Sequence, residues 1–158
     1  MRLVEFWVDG IPAPKGSRKN FIIKRKDGSM GVNSVNANAR TKGWEAKIRQ
    51  NAKSVSYNTV MEGPVAVWLL FVLPRPGYYK RKKDAPVLPI TRPDLDKLIR
   101  AACDAVTGVL FRDDSQVTQL WARKIYGPEP GLRMTVKYDD VGEATCDEML
   151  RELDLEQR

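Results

Sequence analysis

Apolar and polar positions alternate at the start of the chain. Val4, Phe6 and Val8 fall on one side of Leu3–Val8, which predicts a strand. Ile11-Pro12-Ala13-Pro14-Lys15-Gly16 ends it, because the prolines remove ladder donors and the glycine favours a turn. Between Phe21 and Val32 two short apolar runs flank Asp27-Gly28, the pattern of a hairpin with Lys24, Arg25 and Lys26 at its tip. The period then lengthens. Trp44, Ile48, Ala52 and Val55 share one face of a helix expected from about Thr41 to Val55, with Thr41 as its N-cap. Val65–Leu73 is almost continuously apolar and reads as a central strand buried on both faces.

Pro74 to Pro93 is proline-rich and forms a long loop, of a length that usually carries function. A second amphipathic helix follows, with Leu95, Leu98, Ile99, Ala102, Ala105 and Val106 as its stripe and Gly108 as the residue just past its end. Val117–Tyr126 reads as a strand. Leu132–Tyr138 reads as another, with Leu132, Met134, Val136 and Tyr138 inward and Arg133, Thr135 and Lys137 outward. Gly127-Pro128-Glu129-Pro130-Gly131 joins the two as a hairpin loop. Beyond Tyr138, a short helix is expected around Cys146 to Leu155, with Met149, Leu150 and Leu153 on one side. The order β, basic hairpin, α, β, α, β, β predicts an α+β (or α/β-like) single domain over residues 1–138, with a mixed sheet and two main helices. Residues 139–158 form a separate acidic tail. The order of the strands in the sheet is not readable from these patterns.

Composition narrows the chemistry. The chain has no histidine, so a Ser-His or Cys-His nucleophilic pair and a His-held zinc are excluded. Cys103 and Cys146 lie far apart with no metal-ligand spacing, and a reduced, cytoplasmic chain is the simplest reading. No apolar run is long enough for a membrane span, and the first residues do not read as a secretory signal. The net charge is +7, unevenly spread: the tail holds eight acids against two bases, which leaves +13 on residues 1–138. A body that basic points to a polyanion, nucleic acid first.

Two acidic motifs stand out against this background. Asp94 and Asp96 open the second helix in Pro93-Asp94-Leu95-Asp96-Lys97-Leu98-Ile99-Arg100. Inside a helix they would point nearly opposite ways. With Asp94 extended, just outside the helix, both carboxylates can face one point; Pro93 and the N-cap preference of aspartate favour that boundary. Arg100 lies four residues after Asp96, on the same side. The second motif is Asp113-Asp114-Ser115-Gln116, where a turn before a strand would return Asp113 or Asp114 to the first pair. Three carboxylates that converge need a cation, and hard oxygen donors suit Mg²⁺ or Mn²⁺. Taken singly, each motif is also an ordinary cap or turn.

Together, Pro93 to Val106 and Asp113-Asp114-Ser115-Gln116-Val117 closely resemble the core of the RusA family, the Holliday junction resolvases of bacteria and their phages. Gly10 to Gly16 is similar to the family's opening segment, and the likeness covers most of residues 3–138. The resemblance implies a homodimeric, Mg²⁺-dependent endodeoxyribonuclease of DNA recombination and repair, with Mn²⁺ as a substitute, that resolves four-way junctions by phosphodiester hydrolysis. It implies Asp94, Asp96 and Asp114 as metal ligands and catalytic residues. Asp113 is the reserve. The family's lysine falls on Arg100, which keeps the charge and grips phosphate but does not readily donate a proton. Lys97 is a nearby, differently facing cation.

Basic residues cluster in two loops. Lys15, Arg18, Lys19, Lys24 and Arg25 occupy the first; Lys80, Arg81, Lys82 and Lys83 occupy the second, beside Tyr78 and Tyr79. With Lys97, these are the expected DNA contacts, because such cations bind phosphates and release counterions. The tyrosines offer stacking surfaces for unpaired bases. A non-catalytic DNA-binding protein and a nuclease for other branched DNA are the competing expectations.

Overall fold

The computed structural model describes residues 2–16, 18–36, 39–57, 59–79 and 82–138. The tail, and with it the short helix expected there, lies outside the described residues. Four strands form one sheet: β1 (Arg2–Asp9), β4 (Val65–Leu73), β5 (Val117–Tyr126) and β6 (Gly131–Tyr138). Their order is β1-β6-β4-β5. β6 runs antiparallel to both β1 and β4, whereas β4 and β5 are parallel. The basic hairpin, β2 (Arg18–Lys24) with β3 (Met30–Asn36), is a sheet of its own. Two α-helices are present among the described residues, α1 (Ala39–Val55) and α2 (Leu95–Val106). Among the described residues, no helix is long and apolar enough to cross a membrane.

The core explains why both helices lie on one side of the sheet. Val4, Phe6 and Val8 of β1 and Leu132, Met134 and Val136 of β6 point the same way, as period-2 alternation requires. They meet Trp44, Ile48 and Ala52 of α1 and Leu98, Ala102 and Val106 of α2. Each large apolar side chain buried this way contributes about 1.5–3 kcal/mol, offset by the entropy of ordering the chain. β4 is buried along almost its whole length, in line with its unbroken apolar run. Gly108, at φ +74°, follows the last turn of α2, where a left-handed residue is needed and glycine adopts it without steric cost.

Three expectations need correction. The link Gly127–Gly131 is not a hairpin loop, because β5 and β6 do not pair: β4 lies between them. The link instead strides over the end of β4, with Gly127 N donating to Leu73 O at 3.0 Å and Pro130 O accepting from Gly10 N at 3.0 Å. Thr41 is not the N-cap of α1. The helix starts at Ala39, and Thr41 is fully buried within it, donating its hydroxyl to Pro14 O at 2.7 Å. That bond fastens the proline-rich segment to the helix. Finally, Thr135 and Lys137 of β6 point away from the helices as expected, yet both are buried.

Candidate active site

α2 begins as the motif requires. Asp94 sits just outside the helix in extended conformation (φ −69°, ψ 137°), and its carbonyl accepts the first helical bond from Leu98 N at 3.2 Å. Its carboxylate makes no capping bond. It accepts instead from Lys97 Nζ, at 3.1 Å to Oδ2. Asp96 is exposed in the first turn, where the helix dipole favours a negative charge. Arg100 is exposed one turn further on, and Asp104 one turn beyond that, so Asp96, Arg100 and Asp104 line one side of α2. The loop before α2 is pinned to the sheet by Lys124 of β5, whose ammonium donates to Thr91 O and Pro93 O at 2.9 Å each.

The second acidic motif is used differently by its own turn. Asp113 caps a short 3-10 turn, Asp114–Gln116, and its carboxylate accepts from Ser115 N at 3.0 Å. Gln116 Oε1 accepts from Asp113 N at 2.9 Å, which closes a capping box. The amide of Gln116 then donates to Gly63 O at 2.8 Å and Met61 O at 3.1 Å, anchoring the turn to the segment before β4. The hydrogen bonds from Ser115 hold the Asp113 carboxyl below its ordinary pKa. Asp113 is therefore committed to the turn. Asp114 is exposed and outside the box, the better candidate ligand of the two.

The two motifs sit at opposite ends of α2. Asp114 is close enough to Cys103, near the end of the helix, for its charge to act on that thiol. Burial, followed by the charges of Asp104 and Asp114, pushes the Cys103 thiol up to about 12, so it stays protonated and unreactive. Asp94 lies nine residues earlier, about 13 Å along the axis at 1.5 Å per residue. Lys124 touches the start of α2, whereas Val117, next to the Asp114 turn, is seven strand residues away, about 23 Å. Within one chain the turn does not return Asp113 or Asp114 to the first pair. Among the described residues, no three of Asp, Glu and Cys gather closely enough to hold a metal ion.

One cluster was not foreseen. Lys15 does not stand on a free loop. Its ammonium pairs with Asp104, and with Glu45 at 3.4 Å, and its backbone N donates to Lys97 O at 2.9 Å. It is thus a tie between the proline-rich segment, α1 and α2, rather than an open phosphate contact. The only hint in the sequence was Asp104, two helical turns after Asp96.

The other basic positions divide. Lys24, Arg25 and Lys26 are exposed at the hairpin tip. Asp27 accepts there from the Ser29 hydroxyl at 2.7 Å and Ser29 N at 2.9 Å, which shapes the turn. Lys82 and Lys83 are exposed; Lys80 and Arg81 lie outside the described residues. Arg18 and Lys19 belong to β2, described there by backbone alone. Tyr78 is 61% exposed, open enough to stack, while Tyr79 faces Tyr126 edge-on at 6.5 Å.

The model of the family described as Endodeoxyribonuclease RusA matches residues 12–137. The chain is also 26% identical, over 148 residues, to a protein of Bacillus subtilis (strain 168) named Uncharacterized protein YqaN. That match covers 87% of this chain and 97% of the relative.

Proposed function

This chain belongs to the RusA family of endodeoxyribonucleases, and on that premise we propose that it is a junction-selective nuclease, cutting four-way DNA as a homodimer with Mg²⁺ or Mn²⁺. The observation that carries the reading is the start of α2. Asp94 stands outside the helix with a carboxylate its own cap does not use, beside an exposed Asp96. Such a pair of hard oxygen donors fits a divalent cation that keeps several waters. Asp94 and Asp96 would hold it from one copy. Asp114, a helix length away, reaches that pair only from a second copy. A site divided in this way ties activity to the dimer, and two-fold symmetry supplies the two cuts that a four-way junction needs.

When bound, the cation supplies a water of lowered pKa and polarises a phosphoryl oxygen. The chain's own groups do the rest. Lys97 holds Asp94 by its Oδ2, which fixes the carboxylate for a ligand. Arg100, exposed one turn after Asp96, offsets charge on the phosphate and can grip it with two parallel bonds. Lys24, Arg25, Lys26, Lys82 and Lys83 hold the DNA backbone without reading its sequence.

The test is a cleavage assay with purified protein, Mg²⁺, a four-way junction and a plain duplex of the same sequence. Paired cuts in the junction with the duplex spared are expected. Tight binding with no cleavage of any substrate would instead favour a DNA-binding protein in which the acids are caps and turns. Equal cutting of the duplex would remove junction selectivity.

A further inference from the structure

Where β4 and β5 end, Pro74, Arg75, Tyr126, Gly127 and Pro128 line a hollow of about 410 Å³. That volume is in the range of sites that take small ligands. Pro74 and Tyr126 also line a second hollow, of about 150 Å³, whose walls include Arg92 and Pro93. Pro93 is the residue before Asp94, so the second hollow borders the loop that carries the proposed metal pair. Lys124 holds that loop through Thr91 O and Pro93 O, and it stands two residues before Tyr126 on the same face of β5. The walls offer ring faces and cations. The Arg75 guanidinium lies over the Tyr126 ring, 5.5 Å from its centre, and donates to Pro86 O at 3.3 Å. Tyr79 meets Tyr126 edge-on, and Tyr78 packs against Tyr79 at 4.3 Å. Arg75 and Arg92 are exposed, and among the described residues no acid lines either hollow. The Tyr126 hydroxyl is buried and has no hydrogen-bond partner among the described residues. Phenylalanine would fill the same space without that cost, so packing alone does not account for a tyrosine here.

We infer that the larger hollow is a nucleobase subsite, which takes one unstacked base of the strand whose phosphate is presented to Asp94 and Asp96. The inference rests on the reading of this chain as a nuclease of branched DNA, and it names the part of the substrate that the site holds beside the metal pair. A base inside a duplex already has its neighbours stacked on both faces and does not fit a recess. A base freed at a branch point does, because leaving the stack costs least where pairing is already broken. The guanidinium of Arg75 and the rings of Tyr78 and Tyr126 accept such a base by stacking, which tolerates any of the four. Arg75 and Arg92 add attraction for the phosphates on either side of it. With the base held here, the neighbouring phosphate is fixed in position before the cut, a contribution of orientation rather than of chemistry. Arg75, Tyr78 and Tyr126 are positioning residues in this scheme.

The test uses the full-length Asp96→Asn chain, so that binding is read without cleavage. 5-Iodouracil replaces the base on either side of the crossover in a four-way junction and, separately, the central base of a short single strand. Irradiation should join it to residues 74–79 or to Tyr126, as mapped by mass spectrometry. An abasic site at the position that crosslinks should weaken binding about 10-fold, the loss of one stacked base. In a chain that also carries R75A/Y78A, two exposed positions whose loss spares the core, the same abasic site should cost no more than about 2-fold. Crosslinks confined to the hairpin tip or to α2, with the abasic penalty unchanged by R75A/Y78A, would overturn the subsite and leave the nuclease reading standing. No crosslink and no abasic penalty on either DNA would overturn it as well. Crosslinking of the single strand to Tyr126 in a chain that does not bind the junction would support the subsite and overturn the junction reading instead.

Discussion

At the start of α2 the first aspartate stands outside the helix and the second inside it, and neither carboxylate serves as a cap. At the turn before β5 the first aspartate is consumed by a capping box and only the second is left outside it. Both motifs are two acids within three residues, followed by a polar side chain. What separates them is the backbone that follows. A twelve-residue helix is held by the apolar face it buries, and it stands without a side-chain cap from Asp94. The three-residue 3-10 turn buries no side chain, and it recruits Asp113 and Gln116 to close. The lesson is that an acid's availability for a ligand depends on whether its local backbone already needs it.

This contrast can be broken by substitution. Asp96→Asn should lower cleavage by more than the roughly 10–100-fold that loss of an outer partner costs a metal site, with junction binding retained. Asp94→Asn should behave alike. Asp114→Asn should match that loss, whereas Asp113→Asn should leave the cleavage rate within a few fold and act on stability. A Tm fall of about 2–4 °C is expected for Asp113→Ala, the effect of a lost cap in a chain of this size, and a smaller one for Asp113→Asn, whose side-chain oxygen still accepts from Ser115 N. Equal rate losses for Asp113→Asn and Asp114→Asn would erase the distinction between the two acids.

Smaller effects sharpen it. Arg100→Ala should slow cleavage by about 10–100-fold if the guanidinium offsets phosphate charge. Arg100→Lys should stay near the parent rate, and a large gain would show that arginine is a compromise at that position. Replacing Lys24, Arg25 and Lys26 together by alanine should flatten the dependence of junction affinity on salt, by about 0.9 in log–log slope for each phosphate no longer neutralised. The smallest effect concerns pH. The Asp113 carboxyl has a lowered pKa in the folded chain, so its contribution is complete above the ordinary carboxylate value of about 3.9 and fades as pH falls through the lowered value. Thermal melts of Asp113→Asn should therefore lose less stability than the parent over that acidic range.

Much of the architecture was legible because it is local. The alternation in β1 and β6, the apolar run of β4 and the stripe of α2 each report burial within one element. The extended Asp94 was legible because two carboxylates two residues apart can face one ligand only if the first stands outside the helix. What was not legible depends on partners distant in sequence. Gly127–Gly131 has the composition of a hairpin loop, and only the insertion of β4 between β5 and β6 makes it a crossover. The tie of Lys15 to Glu45 and Asp104 joins three segments that no spacing rule connects. The separation of Asp94 from Asp114 is set by the length and direction of α2 against β5, and a list of motifs carries neither.

That separation makes one measurement decisive. Asp96→Asn and Asp114→Asn chains, each inactive alone, are co-expressed in equal amounts and assayed on a four-way junction with Mg²⁺. If Asp114 of one copy completes the Asp94–Asp96 pair of the other, each mixed dimer keeps one intact site. Random pairing then restores about a quarter of the parent sites, seen as nicked rather than fully resolved junctions. No recovery of cleavage, in dimers shown to be mixed, would place all three aspartates in one chain's site and contradict the division proposed here.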